Sequence, residues 1–246
     1  HELGTGIPTN EENLLVATAL QLVPDLTPKH LKMSSDIPVT RGLGSSSSVI
    51  VAGIELANRL GNLNMSDAQK IAFGTKLEGH PDNVAPAVCG DLVIASVVEN
   101  QVDYVRHYFP PCDIIAFIPE APLSTEKARR ALPQTLGYKE AVAASSVANV
   151  MVAALLTGNL PVAGRLMEKD RFHENYRGPL VPHLQVIRDL AHEEGAYGCF
   201  LSGAGPTVLI LSPEDRSQKI VQLLKAWDQP ASVELLSVDR EGVQVF

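Results

Sequence analysis

The order of the predicted strands and helices is the feature that most restricts the fold of this chain. Strands and helices follow one another in runs, without the regular β-α-β alternation that a doubly wound sheet requires. The pattern therefore predicts an α+β fold. The predicted strands are His30–Ile37, Asp91–Val98, Val102–Tyr108, Asp113–Ile118, Tyr197–Leu201, Thr207–Leu211, Val233–Val238 and Val243–Phe246. The predicted helices are Glu12–Leu22, Val49–Leu60, 67–78 with Ser66 as its cap and Gly79 after its end, Thr125–Ala131, Lys139–Leu156, Val162–Lys169, Pro182–Glu194 and Glu214–Trp227.

Length and composition indicate a folded chain with two subdomains. The 246 residues correspond to about 1.6 domains, and the weakest boundary lies near Pro110-Pro111. We therefore expect domains at 1–110 and 111–246. With 45% hydrophobic and 20% charged residues, the chain is neither disordered nor fibrous.

Charge and cysteine usage restrict the partners and the compartment. A net charge of −8 argues against a general nucleic-acid binder, since phosphate contacts need a basic face. No apolar run approaches the roughly 18 residues of a membrane span. The three cysteines, Cys89, Cys112 and Cys199, lack metal-ligand spacing and predict reduced thiols of a cytoplasmic protein. We expect a small-molecule substrate, no nucleic acid or membrane partner, and a homodimer.

A glycine-serine loop lies between a predicted strand and an apolar helix, at Gly42-Leu43-Gly44-Ser45-Ser46. Backbone amides of such a loop, with a helix N-terminus behind them, form an anion site. The loop lacks the lysine of a Walker A motif and the third glycine of a dinucleotide fingerprint. A flexible turn, with Ser47 or Ser48 as the helix cap, is the alternative.

Two motifs together resemble those of the GHMP kinases, and the resemblance covers essentially the whole chain. The first is Pro38-x-x-x-Gly42-Leu43-Gly44-Ser45-Ser46, and the second is Leu201-Ser202-Gly203-Ala204-Gly205-Pro206-Thr207. The resemblance implies a two-subdomain GHMP kinase fold, with mixed or antiparallel sheets covered by helices and the site in the cleft between the subdomains. Residues 1–110 would form the ATP-binding domain and 111–246 a ferredoxin-like α+β domain. The implied ATP-binding residues are Pro38, Arg41, Gly42, Leu43, Gly44, Ser45, Ser46 and Ser47, with Ser202, Gly203, Ala204 and Gly205 in the second motif.

Three further segments resemble the homoserine kinase branch of that family. They are Glu78–Pro86, Leu123–Arg129 and Glu174–Arg177. The resemblance implies ATP- and Mg²⁺-dependent phosphorylation of the side-chain hydroxyl of L-homoserine, in threonine biosynthesis. Another small-molecule kinase, such as a mevalonate-type enzyme, and a truncated non-catalytic nucleotide-binding relative are the alternatives.

The resemblance also implies roles for individual residues. Glu78 corresponds to the family's magnesium-binding carboxylate, with Ser46 as its hydroxyl partner, and Thr125 to a threonine near the reacting hydroxyl. Asp82 would face the substrate ammonium and His80 would shape the site. Arg129 and Arg177 would hold the carboxylate, which suits the planar fork of arginine.

From the residues alone, each of these positions also has an ordinary structural explanation. Glu78-Gly79 is also a normal helix end with a C-terminal glycine. Arg129 and Arg177 are also typical solvated surface charges, and the second motif is also a tight turn. The joint occurrence of the motifs favours the functional interpretation.

The start of the chain differs from the family pattern. Homoserine kinases open with strands and a loop of the type Pro-x-x-x-Asn-Leu-Gly-x-Gly-Phe-Asp, and nothing like it precedes His1. Roughly 40 residues would form such strands and turns. If the molecule lacks them, we expect an exposed sheet edge and weak or absent activity.

Overall fold

The computed structural model describes residues 6–246 and divides into two units, each of which is described by itself. The first contains the residues up to Pro38, then Gly44–Tyr108 and Asp239–Phe246. The second contains Val39–Leu43 and Phe109–Val238. Both units combine helices with antiparallel strands, so the α+β prediction is confirmed.

The first unit packs four helices and a β-hairpin. Its elements are α1 (Leu14–Leu22), α2 (Ser45–Leu60), α3 (Asp67–Glu78), α4 (Val84–Cys89), β1 (Leu92–Val98) and β2 (Gln101–His107). Three apolar residues of α2, at helical spacing, are almost fully buried: Ile50, Ile54 and Ala57. The hairpin pairs Val98 with Gln101. This packing holds α2 in place and therefore fixes the position of its N-terminus.

Local sequence signals define α3 as predicted. Ser66 and Gln69 form a capping box in which each side chain bonds to the other residue's backbone N–H. Gly79 follows the helix with φ of 89°, a left-handed conformation that glycine adopts without strain. These signals place Glu78 at the last position of α3.

The second unit is built on a four-stranded antiparallel sheet in the order β4-β5-β3-β6. Its elements are β3 (Asp113–Pro119), α5 (Thr125–Arg130), α6 (Tyr138–Leu156), α7 (Leu160–Met167), α8 (Glu174–Arg177), a 3-10 turn (Gly178–Leu180), α9 (Leu184–Glu193), β4 (Gly198–Leu201), β5 (Val208–Ser212), α10 (Glu214–Ala226) and β6 (Ala231–Leu236). Ile115 faces Ile210 across the β3–β5 pair, and both are fully buried. The core lies between this sheet and α9 and α10.

Two predicted strands are wrong. Residues 30–37 contain no strand, because Ser35 Oγ accepts the N–H of Ile37 in a local turn just before Pro38. Residues 243–246 form no ladder, although the Val243 N–H donates to the carbonyl of Val88. The prediction also missed α4 and α8, because both are too short to show a periodic pattern.

α6 is long and apolar enough to cross a membrane, judged by length and composition alone. The sequence contains no uninterrupted apolar run at this position, because serine and asparagine residues separate the apolar residues of α6. One such helix is weak evidence, since core helices of soluble proteins meet the same criterion. Only 17% of its apolar window is buried, and α6 packs mainly against α7.

Candidate functional site

The N-terminus of α2 is the part of the predicted phosphate loop that lies in the first unit. Its N-cap residue, Gly44, has φ of 72° and offers no side-chain acceptor. The first-turn N–H groups of any helix lack acceptors within the helix, and they bind anions readily. Ser47 and Ser48 lie inside this turn, so the prediction that one of them caps the helix is wrong. Ser47 Oγ is buried, without a hydrogen-bond partner among residues 6–246.

Ser46 and Glu78 meet although 32 residues separate them in the chain. Ser46 Oγ donates a hydrogen bond to Glu78 Oε2 over 2.9 Å. Glu78 is indeed an ordinary helix end, and its carboxylate also faces the start of α2. Hard oxygen donors of this kind suit Mg²⁺, which takes one or two protein ligands and completes its shell with phosphate and water. Residues 6–246 contain no cluster of three or more His, Cys, Asp or Glu side chains that could hold a metal ion.

The segment after Gly79 carries three polar residues: His80, Asp82 and Asn83. The carboxylate of Asp82 contacts Nδ1 of His80 and is 69% exposed, so it stays accessible to a ligand. Asn83 is the N-cap residue of α4. Its side chain lies against Gly44, where an added Cβ would come within 3.4 Å of Asn83 Oδ1. Sequence analysis did not single out Asn83, although it lies in the same motif as Asp82.

In the second unit, the C-terminal glycine-rich turn holds the start of the phosphate loop. Ser202 Oγ donates to the carbonyl of Gly42 over 2.7 Å, across 160 residues of sequence. Gly42 has φ of 74°, and a Cβ there would lie 2.9 Å from the backbone N and O of Gly205. The two sequence motifs are therefore physically joined, and Gly42 is required by both its backbone conformation and its surroundings.

Replacing Gly42 with alanine should destabilise the protein more than replacing Gly195. Both glycines have positive φ, which costs another residue about 1–2 kcal/mol, but Gly195 has open space around it. The extra crowding at Gly42 should add about 1–3 kcal/mol. Urea unfolding of the two variants measures this difference, and equal losses would show that the turn does not hold Gly42 tightly.

The guanidinium of Arg41 donates hydrogen bonds to neighbouring backbone carbonyls of the second unit. Its Nε donates to the carbonyl of Pro119 over 2.8 Å, and Nη1 donates to the carbonyl of Val39 over 3.1 Å. A further bond reaches the carbonyl of Glu120. These contacts give Arg41 a structural task at the base of the loop. Its predicted role toward ATP stays a prediction, as do those of the exposed Pro38 and the half-buried Leu43.

The predicted substrate residues of the second unit lie on two short helices. Thr125 and Arg129 are both exposed and lie one turn apart on α5, so they share a face. Arg177 is the last residue of α8, is half-buried, and its Nη1 donates to the carbonyl of Gly203 over 3.1 Å. Arg177 therefore differs from a freely solvated surface arginine, because it contacts the glycine-rich turn.

Asp170 is a residue that sequence analysis missed. Its carboxylate accepts the backbone N–H groups of Phe172, His173 and Glu174 over 2.8–3.0 Å. Burial raises the pKa of Asp170, but bonds from the His173 side chain and this backbone outweigh burial and lower it to about 2. Asp170 therefore fixes the chain just before α8. Aspartate side chains commonly accept backbone N–H groups a few residues later in the chain, and this tendency was the available signal.

Asp170→Asn should lower the free energy of unfolding in a pH-dependent way. A carboxyl whose pKa falls from 3.8 to about 2 on folding stabilises the protein above the unfolded value, by about 2 kcal/mol. That stabilisation is lost as the pH falls through the folded value, so the difference between variant and parent should shrink to roughly half at pH 3. Urea unfolding at pH 7 and pH 3 tests this, and a difference that is constant with pH would contradict it.

The imidazole of His183 also contacts the segment that contains the glycine-rich turn. The Nε2 of His183 lies 3.0 Å from the carbonyl of Pro206, so this nitrogen carries the proton and donates it. Burial lowers the pKa of His183, an effect that this bond opposes. Cys199, on the adjacent strand, is fully buried and its pKa is raised by burial, so its thiol is no nucleophile.

Comparison with known proteins now decides the family. Residues 13–91 match the model of the GHMP kinases N-terminal domain, and residues 151–228 match that of the GHMP kinases C-terminal domain. A homoserine kinase of Enterococcus faecalis is 65% identical over 246 residues, which is all of this chain and 86% of that protein. The chain belongs to the homoserine kinase family. A homoserine kinase of Listeria monocytogenes is 52% identical, over 100% of this chain and 85% of that protein.

Solved structures agree with this homoserine kinase assignment. The structure of a putative homoserine kinase from Listeria monocytogenes matches with a TM-score of 0.90 and 50% identity, over 100% of this chain and 84% of that chain. A homoserine kinase from Cytophaga hutchinsonii matches with a TM-score of 0.85 and 26% identity, over 97% of this chain and 80% of its own. A mevalonate kinase, at 20% identity, shares the fold alone. The expected GHMP kinase fold is confirmed.

Proposed function

We propose that this homoserine kinase family member transfers the γ-phosphoryl group of ATP to the side-chain hydroxyl of L-homoserine. Membership of a kinase family makes ATP the phosphoryl donor. The observation that carries the proposal is the 65% identity to a homoserine kinase over all of this chain and 86% of that protein, together with the polar motifs named above. Phosphoryl transfer has a loose transition state, so positioning and electrostatics supply most of the catalysis.

The phosphate groups of ATP would bind at the N-terminus of α2. Gly44 leaves the helix end uncapped, and the hydroxyls of Ser45, Ser46 and Ser47 belong to its first turn. The partial positive charge of the helix end would stabilise the phosphates. Mg²⁺ would be held by Glu78 and Ser46, whose oxygens lie 2.9 Å apart. When bound there, the ion would neutralise charge on the phosphate oxygens.

The substrate is a zwitterion with a hydroxyl group, and the chain offers a matching group for each part. The exposed carboxylate of Asp82, held by His80, would bind the ammonium. Arg129 and Arg177 would bind the carboxylate through charge-assisted hydrogen bonds. Thr125 would lie near the reacting hydroxyl. We assign no general base, because Asp82 is engaged with the ammonium in this scheme.

Substrate analogues test this recognition. Removing the carboxylate (3-aminopropan-1-ol) or the ammonium (4-hydroxybutyrate) should each lower kcat/KM by roughly 10-fold or more relative to L-homoserine, because a charge-assisted bond contributes about 1.5–3 kcal/mol. Measurement of ADP release with each alcohol decides the point. Equal kcat/KM for all three alcohols would contradict a zwitterion site.

We also propose a cytoplasmic homodimer with no nucleic-acid or membrane partner. The net charge of −8 supports the absence of nucleic acid. The exposed Val142 and Val150 of α6 support association through this helix. Sedimentation equilibrium should find twice the monomer mass, and a monomer at micromolar concentration would contradict the dimer.

A further inference from the structure

Arg177 lies on a helix that is too short to be stable without contacts to the rest of the protein. α8 spans only Glu174–Arg177, which is a single turn, and isolated helices of this length are unstable in water. The place of the Arg177 guanidinium therefore depends on the side chains that attach α8 to the rest of the second unit. Asp170 fixes the chain before the helix, as described above.

Glu174 attaches the helix itself to the sheet. Its side chain is 10% exposed, and Oε1 lies 2.5 Å from an Nη atom of Arg188. Its other oxygen, Oε2, accepts the backbone N–H of Leu201 over 2.9 Å. Arg188 in turn donates from Nε to the carbonyl of Cys199 over 2.9 Å. Glu174 is therefore attached to β4 in two ways. It bonds directly to the backbone of Leu201, and it bonds to Arg188, which in turn bonds to the backbone of Cys199.

The attachment point lies beside the turn that Arg177 contacts. Leu201 is the last residue of β4, and the glycine-rich turn follows it immediately. Arg177 lies three residues after Glu174, on the same side of the helix turn, and donates to the carbonyl of Gly203. One carboxylate thus links the helix of Arg177 to the strand that leads into this turn.

We propose that Glu174 is a positioning residue that holds Arg177 in the geometry needed to bind the substrate carboxylate. This inference rests on the proposed function, in which Arg177 binds that carboxylate. Glu174 does not touch substrate; it acts through α8. Loss of its bonds to Leu201 and Arg188 frees the helix to shift, and shifts of about 1 Å at a positioned group can cost about 100-fold in rate.

Glu168 provides a matched control. Its side chain is 13% exposed, and its Oε1 accepts the N–H of Cys199, on the same edge of β4, over 2.7 Å. Glu168 also lies within 3.9 Å of Arg188 Nε and 2.8 Å of His192 Nε2. It follows α7 and carries no helix with a substrate residue. The two carboxylates therefore share burial, charge, strand edge and proximity to Arg188, and they differ in that Glu174 lies on α8 with Arg177 whereas Glu168 does not.

Steady-state kinetics of Glu174→Gln and Glu168→Gln separate positioning from structural support. We expect both variants to melt at lower temperature. Glu174→Gln should raise the KM for L-homoserine about 10-fold and leave the KM for ATP within about twofold, whereas Glu168→Gln should leave both within about twofold. Titration calorimetry of L-homoserine gives the same comparison without turnover. Glu174→Asp, which keeps the charge but shortens the reach, should show the same selective loss.

Equal effects of the two Gln variants on L-homoserine binding would overturn the proposal, as would an unchanged KM in Glu174→Gln and Glu174→Asp. Arg177→Ala, measured in parallel, separates this result from the proposed function. If Arg177→Ala raises the KM for L-homoserine and the Glu174 variants do not, only the positioning inference fails. If Arg177→Ala has no effect, the carboxylate-binding role of Arg177 fails, and the positioning inference fails with it.

Discussion

Glu78→Gln lowers kcat by about 100-fold or more, while the KM for L-homoserine changes little. The substitution keeps the shape of the side chain and removes its charge. Removal of one preorganised electrostatic group from a catalytic site commonly costs 100- to 1000-fold in kcat. The Glu78 carboxylate faces Ser46 Oγ at 2.9 Å, beside the uncapped end of α2, so its loss weakens the oxygen pair assigned to Mg²⁺.

The magnesium dependence distinguishes this role from a structural one. Glu78→Gln should need a higher Mg²⁺ concentration for half-maximal rate, and its melting temperature should stay close to that of the parent. Glu193→Gln is the control, because Glu193 is also the last residue of a helix and is exposed. A Glu78→Gln variant with full activity and unchanged magnesium dependence would refute the metal role.

Arg177→Ala raises the KM for L-homoserine about 10- to 100-fold, with a much smaller change in the KM for ATP. The expected size follows from the roughly 1.5–3 kcal/mol of a hydrogen bond to a charged group. Arg177→Lys keeps the charge and loses the planar fork, so it should fall between the parent and the alanine variant.

Arg130→Ala serves as the control for loss of an arginine near the site. Arg130 lies next to Arg129, but it pairs with Glu126 on the exposed side of α5, and such surface pairs contribute about 0–1 kcal/mol. Its kinetic constants should match those of the parent. Unchanged L-homoserine kinetics in Arg177→Ala would remove Arg177 from the substrate site.

Local chemistry explains which parts of the fold the sequence predicts. The capping box at Ser66 and the glycine after Glu78 fix both ends of α3, so its boundaries were predicted correctly. The hairpin turn lies at Glu99 and Asn100, in the gap between the predicted strands Asp91–Val98 and Val102–Tyr108. Both residues have positive φ, which asparagine tolerates well. Signals that act within a few residues are visible in a single sequence.

The missed features depend on contacts between distant parts of the chain. Residues 30–37 were predicted as a strand but lack a partner strand, and a strand forms only where another backbone accepts its hydrogen bonds. The bond from Ser202 to Gly42 crosses 160 residues, and that from Glu174 to Leu201 crosses 27. The sequence shows that both glycine motifs exist. Only the structure shows that Ser202 of the second motif bonds to Gly42 of the first.

ADP release in the presence of ATP, Mg²⁺ and a panel of alcohols tests the central claim most directly. We predict turnover with L-homoserine, formation of O-phospho-L-homoserine, and much lower turnover with mevalonate and other alcohols that lack the zwitterion. Preferential phosphorylation of mevalonate would assign the chain to another substrate class. No ADP release with any alcohol, together with retained ATP binding, would contradict catalysis and identify a nucleotide-binding relative.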